Sequence, residues 1–180
     1  MHSMSRFAAI GLLILVPVAF VASPLQSQAV NPLRDPLSVA IELNFSAISL
    51  AKLVRNRTKN PRVKTFAEAM VRDRIEALNQ LKKEYGFPNY EVVASPSYQA
   101  EADKLLPLSG SAFDHEFARQ VVADYQVMVN FLEVQSTEFG STFAKTARDL
   151  KPKAIDNLIE AEGLRHSLAT GTTVPGKGNL

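Results

Sequence analysis

Along most of this chain apolar residues recur every three or four positions, the spacing that places them on one face of an α-helix. From about 37 to 58 the stripe runs through Val39, Ile41, Phe45, Ile48, Ala51 and Leu53 and predicts a first helix. Asn60-Pro61 opens a second, with Asn as the cap and Pro at the first helical position, where no N–H is needed. Its inner face reads Val63, Phe66, Met70, Ala77, Leu81 and Tyr85, and Gly86 with Pro88 ends it. Residues 89–112 are broken by turn formers and hold one short helical stretch near 96–106. A long helix begins near Ser111 or Asp114 and runs to Phe139, with Phe117, Val121, Met128 and Leu132 inward. A turn at Gly140-Ser141, with Ser141 as cap, leads into a last helix through Phe143, Ala147, Leu150, Leu158, Ala161 and Leu164 to about Ala169. Pro152 lies inside it and predicts a kink or a lost backbone hydrogen bond.

No useful length alternates with period two, so the expected fold class is all-α. Two helical hairpins joined by a crossover make a four-helix bundle. The second helix is roughly 40 Å long, and a crossover of about 25 residues can traverse it, as a ferritin-like arrangement requires. A simple up-and-down bundle would use a shorter loop.

One phrase is written twice. Phe66-Ala67-Glu68-Ala69-Met70-Val71-Arg72-Asp73 and Phe117-Ala118-Arg119-Gln120-Val121-Val122-Ala123-Asp124 share the pattern Phe-Ala-x-x-[Met/Val]-Val-x-Asp, and Phe143-Ala144 echoes it weakly. Such spacing marks equivalent inner faces of paired helices and carries no catalytic constellation.

The first 29 residues read as an export signal: Arg6 supplies positive charge, 7–22 are almost uninterruptedly apolar, and Ser27-Gln28-Ala29 offers a cleavage site before Val30. An uncleaved leader would instead anchor the chain in a membrane. No later segment is expected to be long and apolar enough to span a bilayer. Residues 30–36 read as a linker, 37–169 as the helical domain, and the Gly- and Thr-rich stretch 170–180 as a disordered tail. The chain has no Cys, which excludes disulfides, thiolate metal sites and a lipoprotein anchor. Lys and Arg number 20 against 18 Asp and Glu, a balance unlike that of a dedicated nucleic-acid binder. Together these readings predict a bacterial periplasmic domain.

Leu50-Ala51-Lys52-Leu53, Asn60-Pro61-Arg62-Val63-Lys64-Thr65-Phe66-Ala67, Met70-Val71-Arg72-Asp73 and Leu108-Ser109-Gly110-Ser111-Ala112-Phe113-Asp114 together resemble one family. It is the ferritin-like domain of unknown function found in exported bacterial proteins, often labelled outer-membrane proteins. The resemblance covers most of 35–168. It implies a histidine after the Asp of Met-Val-x-Asp, a second after the Asp of the fourth helix and a third beyond a Pro in the last helix. This chain has Arg74, Tyr125 and Asn157 there, and Ala47 and Ser49 where the family has acidic residues late in helix one.

The residues alone point the same way. Di-iron bundles need Glu-x-x-His pairs facing inward, and this chain has none. Asp73 with Glu76, and Glu162 with His166, are one turn apart and read as solvated faces. His115 follows Asp114 at a helix start, where Asp114 is expected to cap. No nucleophile elbow or phosphate loop appears.

Two candidate sites remain. Steps of three and four from Phe66 and Met70 bring Arg74 onto the inner stripe, and the same count from Phe117 and Val121 does so for Tyr125. Arg74, Tyr125 and Asn157, with Asp73, Asp124 or Asp156 as counter-charge, would then form a polar core cluster. The alternative, and the preferred expectation, is that Arg74 snorkels to solvent and Tyr125 is ordinary core. The second candidate is a basic run, Lys52, Arg55, Arg57, Lys59, Arg62 and Lys64, with no acid between 44 and 65. It reads either as contact with an anionic envelope surface or, preferred, as cations favourably placed at a solvated helix end. The expected function is therefore non-catalytic, without a cofactor, acting on an unknown protein or envelope partner. Membrane contact would come only through the leader or weak electrostatics. The alternative is a metal-handling or oxidative ferritin-like protein.

Overall fold

Asp35 starts the first helix: its carboxylate accepts from the Ser38 backbone N–H at 3.0 Å, and Pro36 follows at the first helical position. The computed structural model describes residues 35–86 and 96–171; the expected leader, residues 30–34 of the expected linker, 87–95 of the expected crossover and the expected tail from 172 lie outside them. Five helices make up the described chain: α1 (Pro36–Arg57), α2 (Pro61–Tyr85), α3 (Pro96–Leu105), α4 (Gly110–Thr137) and α5 (Ala144–Thr170), with no strand among the described residues. Pro36 and Thr170, expected in linker and tail, are thus helical, because an Asp-Pro start and a left-handed Gly171 at φ 66° extend the helices to those caps.

Asn60 caps α2 as expected, accepting from Arg62 N at 3.0 Å, and Gly86 closes it in the left-handed conformation at φ 64°. Two assignments at helix starts are corrected. α4 begins at Gly110 with Ser109 at the cap position, which leaves Asp114 in the second turn, buried, and no cap. α5 is preceded by Phe143 at its cap position, and the Ser141 hydroxyl accepts from Phe143 N at 3.2 Å. α5 continues past Pro152, and the carbonyl deprived of a donor, that of Arg148, lies on an exposed turn.

α1 packs on α2 and α4 on α5, and the two pairs meet through α1–α4 and α2–α5. Their directions follow from end contacts. Arg57, at the end of α1, donates to the Leu106 carbonyl just before α4. Tyr85, at the end of α2, shares a 2.7 Å hydrogen bond with Thr146 in the first turn of α5. Both cross-pairs therefore run antiparallel. α3 lies against α1 and α4.

The core divides into two apolar halves. One gathers Leu50, Val54, Val63, Met70, Leu105, Phe113, Phe117 and Val121, with Tyr125 at its inner limit. The other gathers Val39, Ile41, Leu78, Leu81, Met128, Phe131, Leu132 and Phe143. Between them, at mid-helix, lies a polar layer. One further expectation is overturned here: Pro36–Val54 is apolar and long enough to cross a bilayer by length and composition, at mean hydropathy 1.5. Half of that stretch is buried within the fold, because α2, α3 and α4 all pack on α1.

Candidate functional site

The polar layer draws on all four long helices. Arg74 reaches it from α2 because it continues the Val63, Ala67, Met70 stripe, every member of which is buried. Asp124 and Tyr125 reach it from α4, Asn157 from α5, and Asn44 from α1. Arg74 does not snorkel. Its side chain is 5% exposed and its Nη2 donates to Asp124 Oδ2 at 3.2 Å, with Asp124 8% exposed. The guanidinium lies over the Tyr125 ring, 4.3 Å from its centroid, a cation–π contact strengthened by the absence of water. The expectation that Arg74 snorkels from the edge of the stripe fails because Asp124 and the Tyr125 ring, both on α4, engage the guanidinium inside the core.

Of the three proposed counter-charges, Asp124 alone meets Arg74. Asp73 turns to α5 and pairs with Lys153 at 3.1 Å, and Asp156 is exposed. Asn157 is buried and lines the same cavity as Arg74 and Tyr125, a space of about 40 Å³ also bounded by Asn44, Asp73 and Lys153. Sequence reasoning missed Asn44 and Lys153. Asn44 had a visible signal, since it sits between Ile41 and Ile48 as a polar residue within an apolar stripe. Lys153 had none, being one of several lysines on a solvated face.

Electrostatics at the layer are dominated by burial. Removal from water pushes the Asp124 carboxyl up, and the Arg74 charge opposes that shift without reversing it. Burial likewise pushes the Tyr125 phenol up to about 12, so it stays neutral and serves as a ring under the guanidinium. On α3, burial and the nearby Asp124 charge push Glu101 up to about 7, against Lys104 and Arg119.

Among the described residues no group of three or more His, Asp and Glu could hold a metal ion; Arg74 engages Asp124, and Ala47 is wholly buried without a donor atom. Glu76, Glu162, His166 and His115 are exposed, as solvated faces require.

The basic run clusters where α1 turns into α2. Lys52 and Lys59 are exposed, Arg62 and Lys64 half-buried, and Arg57 is tied to the Leu106 carbonyl, stapling α1 to the segment before α4. Arg55 lies on the same helix. Beside this end runs a groove of about 910 Å³ between α1 and α2, with Ala51, Val54 and Val71 among its apolar walls and Lys52, Lys64, Arg72 and the acidic Glu68 as its charged ones.

The sequence model of the family described as a domain of unknown function (DUF4142) matches residues 21–164, and the chain belongs to that family. No curated protein and no solved structure matches it.

Proposed function

From membership of this family, we propose that the chain is an exported, ferritin-like four-helix bundle of the bacterial cell envelope that works by binding rather than by catalysis. The pairing of helices supports the bundle: α1 neighbours α2 and α4, and α5 neighbours α4 and α2, so α2 and α4 stand on a diagonal. A long crossover produces that arrangement, whereas consecutive helices of an up-and-down bundle are neighbours. The apolar leader and its small-residue exit support export to the periplasm.

The observation that carries the non-catalytic reading is the Arg74–Asp124 pair under the Tyr125 contact. A ferritin-like bundle builds its chemistry from inward carboxylates and imidazoles, and here the one buried acid of the pair is committed to an arginine. Binding then falls to the surface. The basic α1–α2 end, with its exposed Lys52 and Lys59 beside an apolar-walled groove, suits an anionic envelope surface, where each basic residue near lipid phosphates is worth about 1 kcal/mol.

Co-sedimentation of the chain from Val30 with vesicles tests this. Binding to vesicles rich in anionic phospholipid, absent with zwitterionic lipid and lost in Lys52→Glu/Lys59→Glu, is the expected result. Equal recovery with both lipids, or no loss in the double variant, would retire the envelope-surface reading.

A further inference from the structure

We infer that the cavity between the two apolar halves is a hydration site whose ordered water joins α1 to α2 by bridging Arg74 Nε–H to Asn44 Oδ1. Two atoms make the case. Asn44 is 2% exposed and Arg74 4%, and Asn44 Oδ1 and Arg74 Nε are both buried without a hydrogen-bond partner in the chain. One is an acceptor and the other a donor, and both residues line the same cavity of about 40 Å³.

Neither atom is free to turn elsewhere. Asn44 Nδ2 donates to the Ala40 carbonyl at 2.7 Å, so the amide is oriented by α1 itself and its oxygen is the end left over. The guanidinium is held by Asp124 on one nitrogen and by the Tyr125 face, which leaves Nε without a partner. A water needs two to four polar partners and roughly 10–15 Å³, so the cavity has room for about three. Asn157 and Tyr125 border the same space and add polar edges.

The cavity has a polar side. Asp73 and Lys153 line it, they pair with each other at 3.1 Å, and their side chains are 21% and 60% exposed. This bridge between α2 and α5 is where water enters and leaves. An apolar void of similar size would stay dry and take up xenon; this one has apolar walls in Met128, Leu132 and Leu150, but Asn44, Arg74 and Asn157 give it the polar partners that a water needs. The site is independent of the envelope-binding reading and survives its failure.

The test uses the intact mature chain. A crystal structure finer than about 1.8 Å is expected to show water within about 3.2 Å of both Arg74 Nε and Asn44 Oδ1, with no xenon in a pressurised crystal. In solution, the Arg74 Hε resonance is expected to show a direct cross-relaxation peak to water, lost in Asn44→Leu. A direct Arg74–Asn44 hydrogen bond, an empty cavity that binds xenon, or an Arg74 Hε with no water contact in the native chain would each overturn the inference.

Discussion

The phrase written twice has two fates. On α2 it ends in Asp73, which leaves the core and pairs with Lys153 where both side chains meet solvent; on α4 it ends in Asp124, which stays inside and pairs with Arg74. The first ring differs too: Phe117 is wholly buried and stacks on Phe113 at 5.9 Å, whereas Phe66 is only partly buried against the same core. The same letters at the same spacing therefore specify an inner face but not its depth. Depth comes from what covers the helix. α4 is packed by α5, α1 and α3, while α2 packs chiefly on α1 and α5. The added cover of α3 lies over the side of α4 that carries Gln120, whose amide donates to the Glu101 carbonyl at 3.2 Å.

Cutting the two ion pairs should separate these fates most widely. Arg74→Ala leaves Asp124 buried without its partner and is expected to cost about 3–5 kcal/mol at neutral pH, on the order of 10 °C in Tm. The loss should shrink in acid, where Asp124 takes a proton and the unpaired charge disappears. Replacing both members, Arg74→Met with Asp124→Leu, should recover most of it, because a buried pair exchanged for apolar volume is near neutral. Equal melting temperatures for wild type and Arg74→Ala would mean that the arginine is not buried in solution.

A second contrast concerns the rings. Phe117→Ala should cost about 3–5 kcal/mol by denaturant unfolding, and Phe66→Ala distinctly less, since less apolar surface leaves water there. Parity between the two would erase the claimed difference in depth.

Glu101 probes the cover that α3 provides. Its folded pKa of about 7 exceeds the ordinary 4.5, so the folded chain holds the proton more tightly than the unfolded one. Its contribution is therefore most favourable below 4.5 and is lost as pH rises from about 4.5 to about 7. Glu101→Gln should raise Tm at pH 8 and leave it unchanged at pH 4; a shift of the same size at both would contradict a buried carboxyl beside Asp124. The smallest effect falls on the outer pair. Lys153→Ala should cost no more than about 1 kcal/mol and lose its effect in high salt, against the large and salt-insensitive loss at Arg74.

How much of this is legible in the chain varies with range. Local signals are strong: Asn60-Pro61 and Gly86 mark the ends of α2 where they lie, and the stripe Phe117, Val121, Met128, Leu132 is buried throughout. Asp35-Pro36 is an equally local start signal, but it follows Pro32 at the exit of the expected leader, and two prolines so close together give 30–36 the character of a linker. Arg74 shows the limit. Periodicity places it on the inner face, but whether a long cation stays there depends on an acid fifty residues away in sequence, which no local pattern reveals. Lys153 completes the centre from α5 and is hidden for the same reason, whereas Asn44 on α1 is visible as a polar residue within an apolar stripe.

An arginine–carboxylate pair holds the middle of this helical fold, and its acid is engaged by Arg74 rather than left free for a metal ion. Titration of Fe²⁺, Mn²⁺, Zn²⁺ and Cu²⁺ into the untagged chain from Val30, followed by calorimetry and metal analysis after gel filtration, puts that statement at risk in a single experiment. With the buried acid committed to Arg74, the native chain is expected to retain no stoichiometric ion. A tightly bound, stoichiometric ion lost on Asp124→Ala would contradict it and return the centre to metal chemistry.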